Sequence, residues 1–275
     1  MTAFSAGVSD FAIKYVRSGG ADRRSGTCAL RWLSFWAKAR AMTQMPDHNA
    51  QFRRSVQLSG WAIDYAMVRN ITFKEDDPKP MIERWFAEMA ADLRVHTDQI
   101  TNATARNNHR YWAGLAAMAV AMNTGDQSLA QWALASARIG LDQVDSVGAL
   151  PLELRRAAMA RHYHLYAAAP LVMTIEIAAA NGTDLSSYND GALHRLVAFA
   201  ISSISSPSLI SSLSGAPQQA FVNSNGRYNT QDVAWFEFYN RRFPDRLPDG
   251  AGVLANRPLV NIELGGDLTL LAAKR

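Results

Sequence analysis

Hydrophobic residues recur at helical spacing along nearly the whole chain. Trp61, Ala62 and Tyr65 lie three, four and seven residues after Leu58, so these four side chains share one helix face. Similar patterns predict helices at about residues 28–42, 56–68, 81–93, 108–120, 128–144, 152–180, 193–201 and 231–242. The strand–helix alternation of α/β folds is missing. We therefore expect an all-α fold, with antiparallel helix pairs that curve into a solenoid or toroid.

The joints between these helices contain glycine, proline, asparagine and aspartate. Asn181 and Gly182 end the longest helix, and a linker rich in serine and proline is expected at Ser202–Ser214. Alternation with a period of two is clearest at Leu259–Leu264, which is the best strand candidate. With 275 residues, the chain is interpreted as a single domain over 1–275.

Composition narrows the class of protein. The chain is 48% hydrophobic and 19% charged, which excludes wholesale disorder. Its net charge of +4 gives little support for a nucleic-acid partner, and no run of about 18 apolar residues predicts a membrane span. Cys28 is the single cysteine, so an internal disulfide and CxxC zinc motifs are excluded. The first residues lack a signal-peptide pattern, which predicts a cytoplasmic protein if Met1 is the true start.

Common cofactor and nucleophile motifs are absent from the sequence. It has no P-loop, no dinucleotide-binding GxGxxG, no HExxH and no GxSxG. His162 and His164 are two residues apart, so on a helix their rings point about 200° apart and cannot easily share a metal ion.

A polar run at 107–112 precedes an apolar helix. Asparagine is a preferred N-cap, so the helix is expected to begin at about Asn108. The free N–H groups and positive dipole end of that helix would suit a carboxylate near Asn108 and His109. The alternative is an ordinary cap with a buried, hydrogen-bonded histidine.

A second cluster contains Arg156 and Tyr163. They are seven residues apart, which on one helix is two turns, or about 10.5 Å along the axis. A cation near a phenol favours the phenolate form. The alternative is that Arg156 pairs with Glu153 at the surface and Tyr163 lies at the edge of the core.

Taken together, the two clusters resemble a known enzyme family. Asn-Asn-His-x-Tyr-Trp-Ala stands at 107–113 and Arg-x6-Tyr-His at 156–164, after a Leu-Pro-x-Glu-Leu at 150–154. With Pro-Leu-Val-Met at 170–173 and Arg-Pro-Leu at 257–259, this combination resembles the mannuronate-specific alginate lyases of polysaccharide lyase family five. The resemblance extends from about Ser9 to Leu271.

This resemblance implies an (α/α) toroid, an incomplete α/α barrel with a deep groove, that depolymerises alginate. The implied reaction is β-elimination at a mannuronate residue, which leaves a 4,5-unsaturated uronate end. It implies alginate as the binding partner, no metal or organic cofactor, a periplasmic location and a monomer.

The resemblance also implies roles for particular residues. Asn108, His109 and Arg156 would neutralise the uronate carboxylate. Tyr163 would take the C5 proton and then protonate the leaving oxygen. The open alternative is that His109 is the base and Tyr163 the acid. Further substrate-binding candidates, chosen by residue type and neighbourhood, are Asn107, Trp112, Trp235, Tyr239 and Arg242.

The sequence departs from the family pattern at its beginning. Family members carry a secretion signal and a lid segment with a Tyr-x-Gly-Ser-Asp-x-Ala-Arg-like stretch, which is not found here. Two other functions therefore stay open: an inactive module that binds acidic glycan, and a lyase for another polyuronate.

Overall fold

A computed structural model describes residues 1–222 and 228–273 of the chain, and these residues confirm the all-α prediction. About 70% of the structure is helical. A two-stranded antiparallel sheet pairs β1 (Val260–Asn261) with β2 (Gly266–Asp267). The α-helices are α1 Thr2–Arg17, α2 Arg23–Lys38, α3 His48–Val68, α4 Lys79–Asp98, α5 Asn108–Thr124, α6 Gln127–Leu141, α7 Pro151–Leu154, α8 Ala160–Ala180, α9 Tyr188–Ser205, α10 Ser208–Ser214, α11 Phe236–Arg242 and α12 Leu268–Ala273.

Helix α5 is the central element of the fold. It packs against α3, α4, α6 and α8, and nearly all its residues are buried. Small side chains allow this close approach, as at Gly114, where an added Cβ would lie 2.9 Å from Cβ of Ser136. The helix ends at Gly125, whose φ of +76° is a left-handed conformation that suits glycine. Any side chain at the start of α5 is therefore held by the core of the molecule.

Side-chain caps define where several helices begin. The Asp47 carboxylate accepts the Ala50 N–H at 2.8 Å and begins α3 at His48. The Asn107 side chain accepts the His109 N–H at 2.9 Å and begins α5 at Asn108, as the sequence predicts. Such caps contribute about 0.5–2 kcal/mol each. They also set the first residues of α3 and α5 in register with their neighbours.

The structure corrects the predicted elements at four places. Helix α1 is not among the predicted helices, and α9 and α10 occupy most of the expected linker. The predicted helix at 152–180 is interrupted, because Ala157 adopts a left-handed φ of +51° in a short 3-10 turn, Ala157–Met159. The predicted strand is only two residues long, since a 3-10 turn at Ile262–Leu264 follows it directly.

The segment Ala157–Ala180 is long and apolar enough to cross a membrane. However, 72% of its most apolar window is buried against the rest of the protein. Such burial is typical of a helix in the core of a protein. The position of the segment in the core therefore explains why it is so hydrophobic.

Asp64 is a carboxyl group buried in the core. Asp64 of α3 is fully buried, and neither of its oxygens has a hydrogen-bond partner among the residues that the structure describes. Burial holds the pKa of Asp64 well above its ordinary value, because the charged form would be desolvated. In the unfolded chain the same group ionises above about pH 4.

Asp64→Asn is therefore expected to raise the free energy of unfolding at neutral pH. Because the pKa of Asp64 is raised in the folded state, wild type loses stability as the pH rises above the pKa of the unfolded chain. Asparagine does not ionise, so the variant does not lose stability in this way. The gain over wild type should grow from about pH 4 upwards, by at most about 1.4 kcal/mol per pH unit. Denaturant unfolding at several pH values measures it, with exposed Asp249→Asn as the control. Parallel stability curves for Asp64→Asn and wild type would contradict the interpretation.

Candidate active site

The start of α5 is bound to a buried carboxylate of the protein itself. The backbone N–H and the side-chain Nδ2 of Asn108 both donate to Oε1 of Glu153, at 2.9 and 3.0 Å. Glu153 lies on the short helix α7 and is fully buried. The expectation that the Asn108 N–H is free for a ligand carboxylate is thus wrong, because Glu153 already occupies it.

Glu153 also connects this helix start to Arg156. The Arg156 Nε lies 3.7 Å from Oε2 of Glu153, and its side chain is 37% exposed. Burial raises the pKa of Glu153, and the hydrogen bonds from Asn108 and the charge of Arg156 oppose that rise. The pairing with Glu153 that the sequence suggested is confirmed, but the carboxylate is in the core and not at the surface.

Arg156 lies against the ring of Tyr163. Its guanidinium carbon Cζ is 4.4 Å from the centre of that ring, a cation–π distance. The spacing predicted that the two residues lie on one continuous helix. This prediction is wrong, because the left-handed Ala157 separates them. The chain turns at that point and still brings the guanidinium and the phenol together.

His109 is held between an aromatic ring and another histidine. Its ring stacks on Phe52 with centroids 3.7 Å apart, and its Nδ1 lies 3.1 Å from Nε2 of His48. Burial lowers the pKa of His109 to about 4, helped by His48 and the positive charge of Arg156. The imidazole is therefore neutral at neutral pH.

A series of ring contacts leads from His109 to Tyr163. Phe52 makes an edge contact with Tyr166 at 6.4 Å, and Tyr166 stacks on His162 at 5.9 Å. The His162 ring is in turn 5.3 Å from that of Tyr163. Together with the contacts through the buried carboxylate, these rings close a loop that joins the two sequence clusters in one site.

Open space and two carboxyl groups lie beside this loop. A cavity of about 510 Å³ is lined by residues including Met159, His162, Phe221 and Asp232. Asp232 is 3.5 Å from Nδ1 of His162. Burial and the neighbouring Asp232 charge raise the pKa of Glu263 to about 7. The loop therefore combines a partly exposed cation, a phenol and a neutral imidazole, and His162 is the residue of the loop that lines the cavity.

Three aromatic residues predicted to bind substrate are in the core. Trp112, Trp235 and Tyr239 are each at most 1% exposed. The Trp235 indole N–H donates to the Asp232 carbonyl at 2.9 Å, and the Tyr239 hydroxyl bonds to Nδ1 of His194 at 2.9 Å. The expectation of direct sugar contact is wrong for these three residues, because they have no accessible face.

The remaining two candidates are engaged within the protein. Asn107 is buried, and its side-chain oxygen caps α5. Arg242 pairs with Glu176 at 3.1 Å and with Asp184 at 2.8 Å, so a uronate would have to compete with two carboxylates for it.

His162 and His164 do not converge. His164 is buried, its Nε2 accepts the Leu150 N–H at 2.9 Å, and burial lowers its pKa to about 4. Sequence reasoning did not place four residues of the loop of contacts in the site: Glu153, Phe52, Tyr166 and His162. Of these, Glu153 had a signal, since it stands in the Leu-Pro-x-Glu-Leu motif.

Comparisons with known proteins identify the family of the chain. The family model described as Alginate lyase matches residues 1–210. A polysaccharide lyase of Stenotrophomonas maltophilia is 32% identical over 98% of this chain and 78% of its own length. The chain belongs to the alginate lyase family. An alginate lyase of Pseudomonas syringae is 31% identical, and one of Cobetia marina 30%, each over 98% of this chain and 71% of its own length.

A solved structure of the family confirms the predicted α/α toroid. Alginate lyase A1-III of Sphingomonas species A1 superimposes with a TM-score of 0.87 and 25% identity, over 99% of this chain and 76% of that one. An alginate lyase from Bacteroides ovatus shares the fold at a TM-score of 0.67, with 19% identity over 99% of this chain and 73% of that one.

Replacing the central carboxylate tests the role of Glu153 in this family member. In Glu153→Gln an NH₂ group, which is a donor, replaces one carboxylate oxygen. This NH₂ group then faces either the donors of Asn108 or the Arg156 guanidinium, and two donors cannot form a hydrogen bond with each other. We expect the free energy of unfolding to fall by about 1–3 kcal/mol, the cost of leaving a buried polar group without its partner.

Denaturant titration measures this loss. The control is Glu88→Gln, which removes a partly exposed carboxylate that pairs with Arg40, and should change stability by less than about 1 kcal/mol. Equal effects of the two substitutions would mean that Glu153 does not hold the site together.

Proposed function

We propose that the protein is a polysaccharide lyase that cleaves alginate by β-elimination at mannuronate residues and leaves 4,5-unsaturated uronate ends. The observation that carries the proposal is the Arg156 guanidinium, partly exposed and 4.4 Å from the centre of the Tyr163 ring, in a chain of the alginate lyase family. Further support comes from alginate lyase A1-III, whose histidine-to-alanine and tyrosine-to-phenylalanine variants have been solved in complex with a tetrasaccharide.

The first requirement of the reaction is to acidify the C5 proton. This proton is next to a carboxylate, and its removal pushes further negative charge onto that group. Fixed donors that meet the developing charge are the main catalytic contribution. Arg156 supplies a permanent cation that can bind both carboxylate oxygens, and a neutral His109 supplies one N–H.

Asn108 supports these groups from behind. It is 1% exposed and donates to Glu153, which is the carboxylate that faces Arg156. We therefore assign Asn108 the role of holding Glu153 and, through it, the guanidinium.

Tyr163 is the proposed base and acid. The phenolate oxygen takes the C5 proton, the C5–H electron pair becomes the C4–C5 double bond, and the C4–O bond breaks. The resulting phenol then gives its proton to the leaving oxygen. One residue can do both because C5–H and the leaving oxygen of mannuronate lie on the same side of the ring. The Arg156 guanidinium, 4.4 Å from the centre of the phenol ring, places a positive charge beside the group that transfers the proton.

The low basicity of His109 argues against the alternative base. With a pKa of about 4, the imidazole accepts a proton poorly near neutral pH. Donation from a neutral imidazole to the uronate carboxylate is consistent with its environment.

We also propose a periplasmic location, where a polymer too large to cross the inner membrane can be reached.

Turnover of purified polymannuronate tests the proposal. The wild type should produce the ultraviolet absorbance of the unsaturated product, and Tyr163→Phe should lower kcat by about 10²-fold or more, since it removes the proton-transfer group. Tyr15→Phe, a partly buried tyrosine on α1, is the matched control and should keep wild-type activity. Residual turnover of Tyr163→Phe within tenfold of wild type would remove Tyr163 from the mechanism.

Comparison of substrates separates this function from its rivals. Faster initial rates on polyguluronate or polyglucuronate than on polymannuronate would contradict the proposed specificity. Retained glycan binding without absorbance on any polymer would indicate a binding module.

The raised pKa of Glu263 predicts how binding of the polyanion depends on pH. The charges of Glu263 and Asp232 both act on Tyr166, a ring of the site. Because the pKa of Glu263 is raised to about 7, its carboxyl is neutral below that pH and adds a negative charge above it. The KM for polymannuronate should therefore rise between about pH 6 and pH 8, by up to about fivefold.

Glu263→Gln should remove this rise, whereas Glu88→Gln, at a partly exposed carboxylate on α4, should leave it unchanged. Steady-state kinetics at constant ionic strength measure both. The same rise in Glu263→Gln as in wild type would assign the pH dependence to another group.

A further inference from the structure

Three histidines from three helices form a hydrogen-bonded chain that ends at His109. Nδ1 of His109 lies 3.1 Å from Nε2 of His48, and Nδ1 of His48 lies 3.1 Å from Nε2 of His96. The rings of His48 and His109 are nearly parallel, with an angle of 4° between their planes. Because each contact joins two ring nitrogens, the hydrogen on one ring determines where the hydrogen on the next ring must be.

We propose that His48 is a positioning residue for the reaction, which keeps the hydrogen of His109 on Nε2 by donating its own Nε2–H to Nδ1 of His109. The proposal rests on the proposed function, in which His109 donates to the uronate carboxylate.

The direction of this hydrogen bond follows from the chemistry of imidazole. A neutral imidazole has one N–H and one bare nitrogen. His109 is neutral at neutral pH, since its pKa is lowered to about 4 by burial, His48 and Arg156. Its Nδ1 is engaged by His48, so only Nε2 can serve the substrate. A carboxylate only accepts hydrogen bonds, so Nε2 must carry the hydrogen and Nδ1 must accept.

His96 completes the chain in the same direction. In a neutral His48 ring that donates through Nε2, Nδ1 carries no hydrogen and accepts the Nε2–H of His96. Burial, His48 and Arg54 lower the pKa of His96. The charge of Asp92 has the opposite effect but does not outweigh them. The reverse direction would leave Nε2 of His109 without a hydrogen, so that its lone pair could take the C5 proton, as required if His109 were the base. The direction of the hydrogen bonds along the three histidines thus distinguishes the mechanism with Tyr163 as the base from the mechanism with His109 as the base.

The surrounding structure holds His48 in place. The Asp47 cap makes His48 the first residue of α3, and Phe52, one turn later, stacks on His109. Asp92 of α4 accepts a hydrogen bond from Gln51 at 3.1 Å and another from Arg54. Helices α3 and α4 are therefore tied together at the point where the imidazoles meet.

Two substitutions at His48 separate donation from side-chain bulk. The amide nitrogen of glutamine reaches the position of Nε2, whereas that of asparagine reaches only the position of Nδ1. His48→Gln should keep kcat within about threefold, and His48→Asn should lower kcat by about tenfold to a hundredfold, the usual cost of losing a residue that orients a functional histidine. KM should change less than kcat, because the donation matters most in the transition state.

The matched control is His194→Asn. His194 is also a partly buried histidine with a ring hydrogen bond, to Tyr239, and it is not part of the chain that ends at His109. This variant should retain the wild-type rate.

Imidazole nitrogen NMR gives a readout that loss of packing would not produce. In ¹⁵N-histidine-labelled Tyr163→Phe with a mannuronate tetrasaccharide, long-range ¹H–¹⁵N correlations should show Nε2 of His109 protonated and Nδ1 bare. Adding His48→Asn should give a mixture of the two tautomers, and adding His48→Gln should restore the first.

Protonation of Nδ1 in the complex would overturn the proposal, as would a wild-type kcat in His48→Asn. Either result leaves the proposed lyase activity standing as long as the wild type cleaves polymannuronate. A wild type that does not cleave it contradicts the proposed function and the role of His48 with it.

Discussion

The site depends on one buried carboxylate. Glu153 receives two hydrogen bonds from Asn108 at the start of the central helix and faces Arg156 with its other oxygen. Desolvation disfavours a charge at this position, so the group is stable there only as long as its donors stay in place. This dependence joins the helix start, the guanidinium and the Tyr163 ring into one rigid unit. It links residues that are 45 positions apart in the sequence.

Much of the fold was predictable because it follows from local rules. The helical spacing of apolar residues indicated an all-α chain, and the capping preference of asparagine placed the start of α5 at Asn108. Boundaries failed where local signals conflict with tertiary packing. The serine-rich segment near Pro207 reads as a linker, yet it carries α10, which packs on α8 and α9. The left-handed Ala157 has no signal at all, because alanine is the best helix former.

The site was predictable to the extent that its residues share a motif. Arg156 and Tyr163 were correctly expected to meet, although the helix assumed to bring them together is broken. Trp235 and Tyr239 were misplaced because aromatic residues suit a core as well as a sugar-binding groove, and only burial distinguishes the two. The contact of His48 with His109 joins residues 61 positions apart, and no local pattern reports such a distance.

The left-handed turn at Ala157 has a further consequence for how the protein can vary. A non-glycine residue in this conformation costs about 1–2 kcal/mol, which the surrounding contacts must offset. Regular helix through this position would place Arg156 two turns from Tyr163, about 10.5 Å along the helix axis, so a greater helical propensity there would separate the guanidinium from the phenol ring. Helix α8 begins only at Ala160, so substitutions that raise helix propensity within α8 act on a helix to which Arg156 does not belong.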